Sequence, residues 1–152
     1  MDPVTILWPT DLSKGSLKAT SQVLTLAEKL NARVVALYVS LDLCSLFPAY
    51  GNYPSPERVQ EFQSWDLEAA RINLEDICNS LLNGCPNLDL RLVRGDAVEQ
   101  ILKVAQEEKA SLVVMTSRGQ SLDKDPGAAT GLGNVARQVL EKSRVPVQIV
   151  YP

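Results

Sequence analysis

The chain has 152 residues, of which 45% are hydrophobic and 22% charged, with a formal charge of −3 and no histidine. A chain of this length folds as about one domain, expected to span residues 1–152, and buries about two-thirds of its extended surface, so no disulfide or metal staple is needed. Without histidine, Ser-His-Asp and Cys-His catalysis, His metal sites and a His pH switch are excluded together. An acidic balance also argues against sequence-independent nucleic-acid binding and against anionic membranes.

The first element is Val4-Thr5-Ile6-Leu7-Trp8, a β-rich run without alternation, as suits a strand buried on both faces and stopping at Pro9-Thr10-Asp11. A helix follows, with Leu17, Thr20, Leu24, Ala27 and Leu30 at helical spacing and Asn31 as its left-handed stop. Arg33 to Val39 is a second buried strand. Residues 40–56 have no consistent period and carry Phe47, Tyr50 and Tyr53 among three prolines; they are either a lid or packing at a partner surface. Ser55-Pro56 opens a long helix with Leu67, Ala70, Leu74, Ile77 and Leu81 inward, and Trp8 and Trp65 are expected in the core. Leu88 to Arg94 alternates, predicting a strand with one wetter face. Gly95 turns it, and Asp96-x-x-Glu99 caps a helix bearing Val98, Ile101, Leu102 and Ala105. Leu112 to Met115 is a fourth strand. A glycine-rich connection, 119–133, then leads to a helix with Val135, Val139 and Leu140, and Pro146 precedes a last strand, Val147 to Tyr151.

Strands alternating with helices predict an α/β fold with a doubly wound, five-stranded parallel sheet. Cys44, Cys78 and Cys85 are odd in number and form no C-x-x-C, so they read as free thiols in a reducing cytoplasm. Met1-Asp2-Pro3 does not resemble a signal peptide, and no apolar run reaches the length of a membrane span.

In such sheets a ligand lies outside the carboxyl ends of the strands, at the switch in winding direction. Those ends are Pro9-Thr10-Asp11, Val39 onward, Gly95-Asp96 and Thr116-Ser117-Arg118-Gly119. Half of the eight glycines (Gly119, Gly127, Gly131, Gly133) fall between the fourth strand and its helix. They form either an anion cradle of main-chain amides or only a flexible surface loop. No Walker A loop is present. Gly131-Leu132-Gly133-Asn134-Val135-Ala136 fits a dinucleotide fingerprint in letters but stands 12 residues beyond Gly119 instead of directly after a strand.

Taken in order, Ile6-Leu7-Trp8-Pro9-Thr10-Asp11-x-Ser13, Gly95-Asp96, Val113-Val114-Met115-x-Ser117-Arg118-Gly119, Gly133-x-Val135-Ala136 and Val145-Pro146-Val147 resemble the universal stress protein family along the whole chain. The resemblance implies strand order 3-2-1-4-5, binding of ATP or AMP (with or without Mg), dimerisation through the last strand, and a role in stress tolerance without a dedicated reaction. It implies that Asp11 accepts from the adenine amino group and that Val39 contacts adenine, with Pro9, Thr10, Met115, Thr116, Ser117, Arg118, Gly119, Gly133, Asn134 and Val135 completing the site. The family's phosphate motif is G-x-x-G, nine residues, then G-[S/T]. Thr116 stands for its first glycine, Asn134 for its Ser/Thr, and the spacer has thirteen residues, including Asp123-Lys124-Asp125. A β-branched Thr116 obstructs close backbone approach, while Asn134 keeps a donor in weaker form.

Bland readings stand beside these. Asp11 could cap the first helix, Arg118 could be a solvated loop charge, and Asp96 could be an N-cap only. Two copies meeting through their last strands would pair two exposed edges, with Val147, Ile149 and Tyr151 as matching surface, whereas Pro146 and Pro152 could instead guard a monomer. The expectation is a nucleotide-binding module; the alternative is a nucleotide-free dimeric interaction protein of the same fold. An enzyme is disfavoured, since neither the S-G-G-x-D-[ST] loop nor H-I-G-H is present and no paired carboxylates flank the site.

Overall fold

Thr5–Thr10 (β1) is buried at every residue, the burial expected of a strand covered on both faces. Around it a computed structural model, describing residues 3–40, 56–117 and 132–151, builds a five-stranded sheet. In chain order come Lys14–Leu17 (α1), Thr20–Leu30 (α2), Arg33–Ser40 (β2), Pro56–Leu81 (α3), Asn87–Arg94 (β3), Ala97–Glu107 (α4), Leu112–Thr116 (β4), Asn134–Lys142 (α5) and Val147–Val150 (β5). The sheet order is β3-β2-β1-β4-β5, all parallel. Alternate residues of the central strands feed two cores. Ile6, Trp8, Val34, Ala36 and Val114 pack with α2 and α3, while Leu7, Val35, Leu37, Val113 and Met115 pack with α4 and α5.

Three local expectations are revised. β1 continues through Pro9 to Thr10, paired with Leu37 and Tyr38 of β2. Its pairing with β4 is limited to Ile6 and Leu7. Pro9 has no N–H for a ladder, so the strand survives the proline because only the β2 side remains paired there. The first helix is divided into α1 and α2. Asn31 does end it in the left-handed region (φ 49°, ψ 48°), but Val23 takes the core position and Leu30 is exposed.

Among the described side chains of α3 the buried ones are Gln63, Ala70, Leu74 and Cys78. Leu67 and Ile77 are half-buried, Leu81 is exposed, and Trp65 is 68% exposed. Trp65 lies two residues beyond Gln63, about 200° around the helix, so the phase that buries Gln63 turns the indole out, against Phe62. Trp8, by contrast, is fully buried.

Asp96 is the N-cap expected of it: its side chain accepts from Glu99 N–H at 3.0 Å, just after Gly95 turns the chain at φ 145°. At the opposite end of the sheet, Arg33 bonds Asp89 and Glu108, and Arg91 bonds Glu107 and Glu108. This network ties β2, β3 and the end of α4. Among the described residues, no helix is long and apolar enough to cross a membrane.

Candidate nucleotide site at the carboxyl ends of the strands

Because β1 and β4 stop pairing after Leu7, their carboxyl ends part, at the place where the winding direction reverses. A cavity of about 350 Å³ opens there. Ten predicted residues line it: Pro9, Thr10, Asp11, Val39, Met115, Thr116, Ser117, Gly133, Asn134 and Val135. Arg118 and Gly119 lie outside the described residues, as do the rest of the glycine-rich spacer to Gly131 and the aromatics at 47–53. Ser16, Leu37, Ala97, Ile101 and Ala136 also line the cavity without having been singled out as site residues. Ile101 was legible only as a core position, since helical spacing cannot tell a residue facing a cavity from one facing solid packing. The walls are mainly aliphatic, with Leu37, Val39, Ile101 and Met115 forming an apolar slot.

The turn after β1 is held by side chains. Thr10 Oγ1 shares a 2.7 Å hydrogen bond with Ser16 Oγ and accepts from Leu12 N–H at 3.0 Å. Asp11 Oδ1 accepts from the backbone N–H of Ser13 at 3.0 Å and from the Ser13 hydroxyl. Ser13 is the N-cap of α1, accepting from Ser16 N–H at 3.1 Å. Asp11 therefore braces the cap instead of serving as it, and its carboxylate is fixed beside the cavity. The cost is local strain: Leu12 sits at φ 65°, a region that non-glycine residues rarely occupy. Tyr38 stands near this turn; burial, and then the charges of Asp66 and Asp11, push its phenol pKa up.

The opposite wall differs from the expected cradle in one respect. The Gly133 N–H donates to the Ser117 carbonyl at 2.7 Å, so it is committed to holding the crossover and is not turned to a ligand. Gly133 nevertheless caps α5 without a side chain in the way. The helix ladder begins with Arg137 N–H donating to Gly133 C=O, which leaves the N–H groups of Asn134, Val135 and Ala136 outside it. All three residues line the cavity, and the N-terminus of a helix is where an anion is best accommodated. Asn134 Oδ1 accepts from Arg137 at 3.3 Å, and Thr116, at the end of β4, is buried. Among the described lining residues Asp11 is the one ionisable side chain. No group of three or more Cys, Asp or Glu among the described residues is placed to hold a metal ion.

A doubly wound, all-parallel five-stranded sheet with a mainly apolar cavity at its switch point defines a Rossmann-like α/β fold. The sequence model of the universal stress protein family matches residues 4–151, and the chain belongs to that family. Two universal stress proteins of Methanocaldococcus jannaschii, MJ0531 and MJ0577, are each 27% identical to it; the alignments cover 95% of this chain and 80% and 93% of theirs. The solved structure of MJ0577 superposes with a TM-score of 0.80 at 26% identity, over 97% of this chain and 95% of that one. Two further family structures share the fold. One is a universal stress protein in complex with cAMP (TM-score 0.60, 22% identity, 99% and 98% covered). The other, from Arabidopsis thaliana, has AMP bound (TM-score 0.63, 14% identity, 98% and 93% covered).

Proposed function

We propose that this chain, as one domain over residues 1–152, is an adenine-nucleotide-binding module of the stress response that acts through binding and not through a dedicated reaction. The observation that carries the reading is the cavity between the carboxyl ends of β1 and β4, lined by Asp11 and by the first turn of α5, whose N-cap Gly133 adds no side-chain hydrogen bond. Asp11 would accept from the adenine amino group. Val39 would give main-chain and apolar contacts, with Leu37, Ile101 and Met115 enclosing the base. The N–H groups of Asn134 and Val135 and the Ser117 hydroxyl would face phosphate, and Arg118 and Gly119 would come from the adjoining connection. Family structures holding AMP and cAMP support an adenine ligand. Any Mg²⁺ would enter on the phosphate oxygens of the nucleotide, since no group of three or more Cys, Asp or Glu among the described residues is placed to hold it. The absence of histidine from the sequence and of a second acid or base along the described walls supports binding over catalysis.

Titration calorimetry with AMP, on protein shown to be folded by circular dichroism, tests this. Saturable heat is expected, and no heat at millimolar AMP would remove the nucleotide reading.

A second reading, a nucleotide-free interaction protein, draws support from the committed Gly133 amide and from buried Thr116. Thr116→Gly separates the two. If AMP binds the variant and not the parent, the second reading holds. In either case we place the protein in the cytoplasm as a homodimer, pairing β5 across a two-fold through Val147, Ile149 and Tyr151, away from nucleic acid and membranes. Support comes from β5 standing at the sheet edge, with Tyr151 63% exposed beside it. Cys78 and Cys85, free in the structure, suit a reducing compartment.

A further inference from the structure

We propose that the outward face of α3 is a docking surface for a basic amphipathic helix of a protein partner. Phe62, Trp65, Ala69 and Ile72 follow the i, i+3, i+7, i+10 spacing of a helix–helix seam. At about 100° per residue they fall within an arc of about 80°, on the side away from the buried Gln63, Ala70, Leu74 and Cys78. All four are exposed, Phe62 and Ile72 at 54% and Trp65 at 68%, and the rings of Phe62 and Trp65 are in contact at a centroid distance of 6.2 Å. Large apolar side chains scattered singly over a surface are ordinary. A row of them along about three helical turns marks an interaction site.

The charges beside the row select the partner. Glu61, Glu68 and Glu75, spaced by heptads, run along one side of it, and Asp66 stands on the other. Arg71 lies beyond the glutamates and pairs with Glu68 at 3.6 Å and Glu75 at 3.1 Å. α3 as a whole carries six carboxylates and two arginines, a net charge of −4, against −3 for the entire chain. Neither internal segment outside the described residues brings net positive charge: 41–55 has Asp42 alone, and 118–131 is balanced. A second copy laid antiparallel on the row would set Glu68 against its own counterpart and Glu61 against Glu75, so self-pairing is repelled. Lysines or arginines flanking an apolar stripe would instead meet carboxylates on both sides and stack on the Trp65 indole. α3 packs over β2 and β3, away from β5, so the surface stays open in a dimer formed through β5. It does not depend on the nucleotide reading.

The probe is a synthetic leucine–lysine peptide of about five helical turns, its leucines at the same spacing, titrated calorimetrically into the full chain. A scrambled peptide of equal composition and a leucine–glutamate counterpart are its controls. We expect saturable one-to-one binding and a blue shift of tryptophan emission, which reports Trp65 because Trp8 is already fully buried. Each control should bind at least about tenfold more weakly. Phe62→Ser with Trp65→Ser, and separately Glu61→Lys with Glu68→Lys, should each weaken binding by at least about tenfold. All four side chains are exposed, so both variants should keep the parent's circular dichroism. No heat at millimolar peptide, a control that binds as tightly as the probe, or parent-like affinity in either variant overturns the proposal. Self-association of the parent that Ile72→Asp abolishes would assign the face to a second copy, and overturns it equally.

Discussion

Lys109 is exposed and sits at φ 53° just past the end of α4, a position where the Cβ of an ordinary residue is crowded by its own backbone. Lys109→Gly should relieve that strain, less the entropy glycine adds to the unfolded chain, for a net gain of about 0.5–1 kcal/mol. For a chain of this size that corresponds to about 1–4 °C in thermal midpoint, readable by calorimetry. Cys78 is a different residue-scale case. Burial first, and then the charge of neighbouring Cys85, push its thiol pKa up to about 11 from an ordinary value of 9.0. Its thiolate is thus easier to form in the unfolded chain than in the folded one. Between these two values the unfolded state holds fewer protons, so stability should fall as pH rises from 9.0 towards 11, and a Cys78→Ala variant should show a shallower decline. At pH 8 Cys78 should react with a thiol reagent only as fast as the protein opens; immediate labelling of the folded protein would contradict its burial.

At the scale of elements, the ion pairs at the amino end of the sheet do what hydrophobic packing cannot do at a wet edge. β3 is an edge strand with much of its surface half-exposed, and Arg33 holds it to β2 and α4 through Asp89 at 2.9 Å and Glu108 at 2.8 Å. These groups are partly exposed, so water and salt reduce their worth. Arg33→Ala should cost about 1–2 kcal/mol in low salt and markedly less in 1 M NaCl, measured by urea unfolding. The hydrogen bond from Arg91 is the largest influence on the Glu107 carboxyl and, against an opposing desolvation and with smaller help from the charges of Arg91 and Lys103, holds its pKa below the ordinary range. A lowered carboxyl stabilises the fold at neutral pH, and that contribution disappears as pH falls through the lowered value. The same scale explains two departures from the helix patterns. Spacing places one face of α3 and α2 inward but leaves its phase open by a residue or two, and that uncertainty exchanges Trp65 for Gln63 and Leu30 for Val23.

For the whole molecule, β5 is the decisive element. Four residues long, it pairs with β4 alone among the described strands and stands at the edge of the sheet, while its Gln148 accepts from Gln22 of α2 at 3.2 Å and so fixes which face is inward. If two copies pair at this edge, light scattering should give about twice the 16.6 kDa chain mass, and Ile149→Asp should halve it. A monomeric parent protein at micromolar concentration would remove the dimer from the proposal.

The alternation of apolar runs, helical spacings and capping residues fixes the element order by itself, because these signals act over a few residues: Asn31 stops α2, Asp96 starts α4, and double-sided burial makes the middles of β1 and β2 (Ile6–Trp8 and Val34–Leu37) apolar. Strand ends and the position of the site follow from that order, which is why ten candidate residues meet in one cavity. Tertiary structure alone decides how the ends are used. Whether β1 leaves β4 after Leu7, and whether the Gly133 amide points to a ligand or to Ser117 sixteen residues earlier, depends on hydrogen bonds between segments distant in the chain. Composition and periodicity carry local preferences and two-fold or 3.6-fold phases; they do not carry the direction of an individual N–H, and on that direction the chemistry of the site turns.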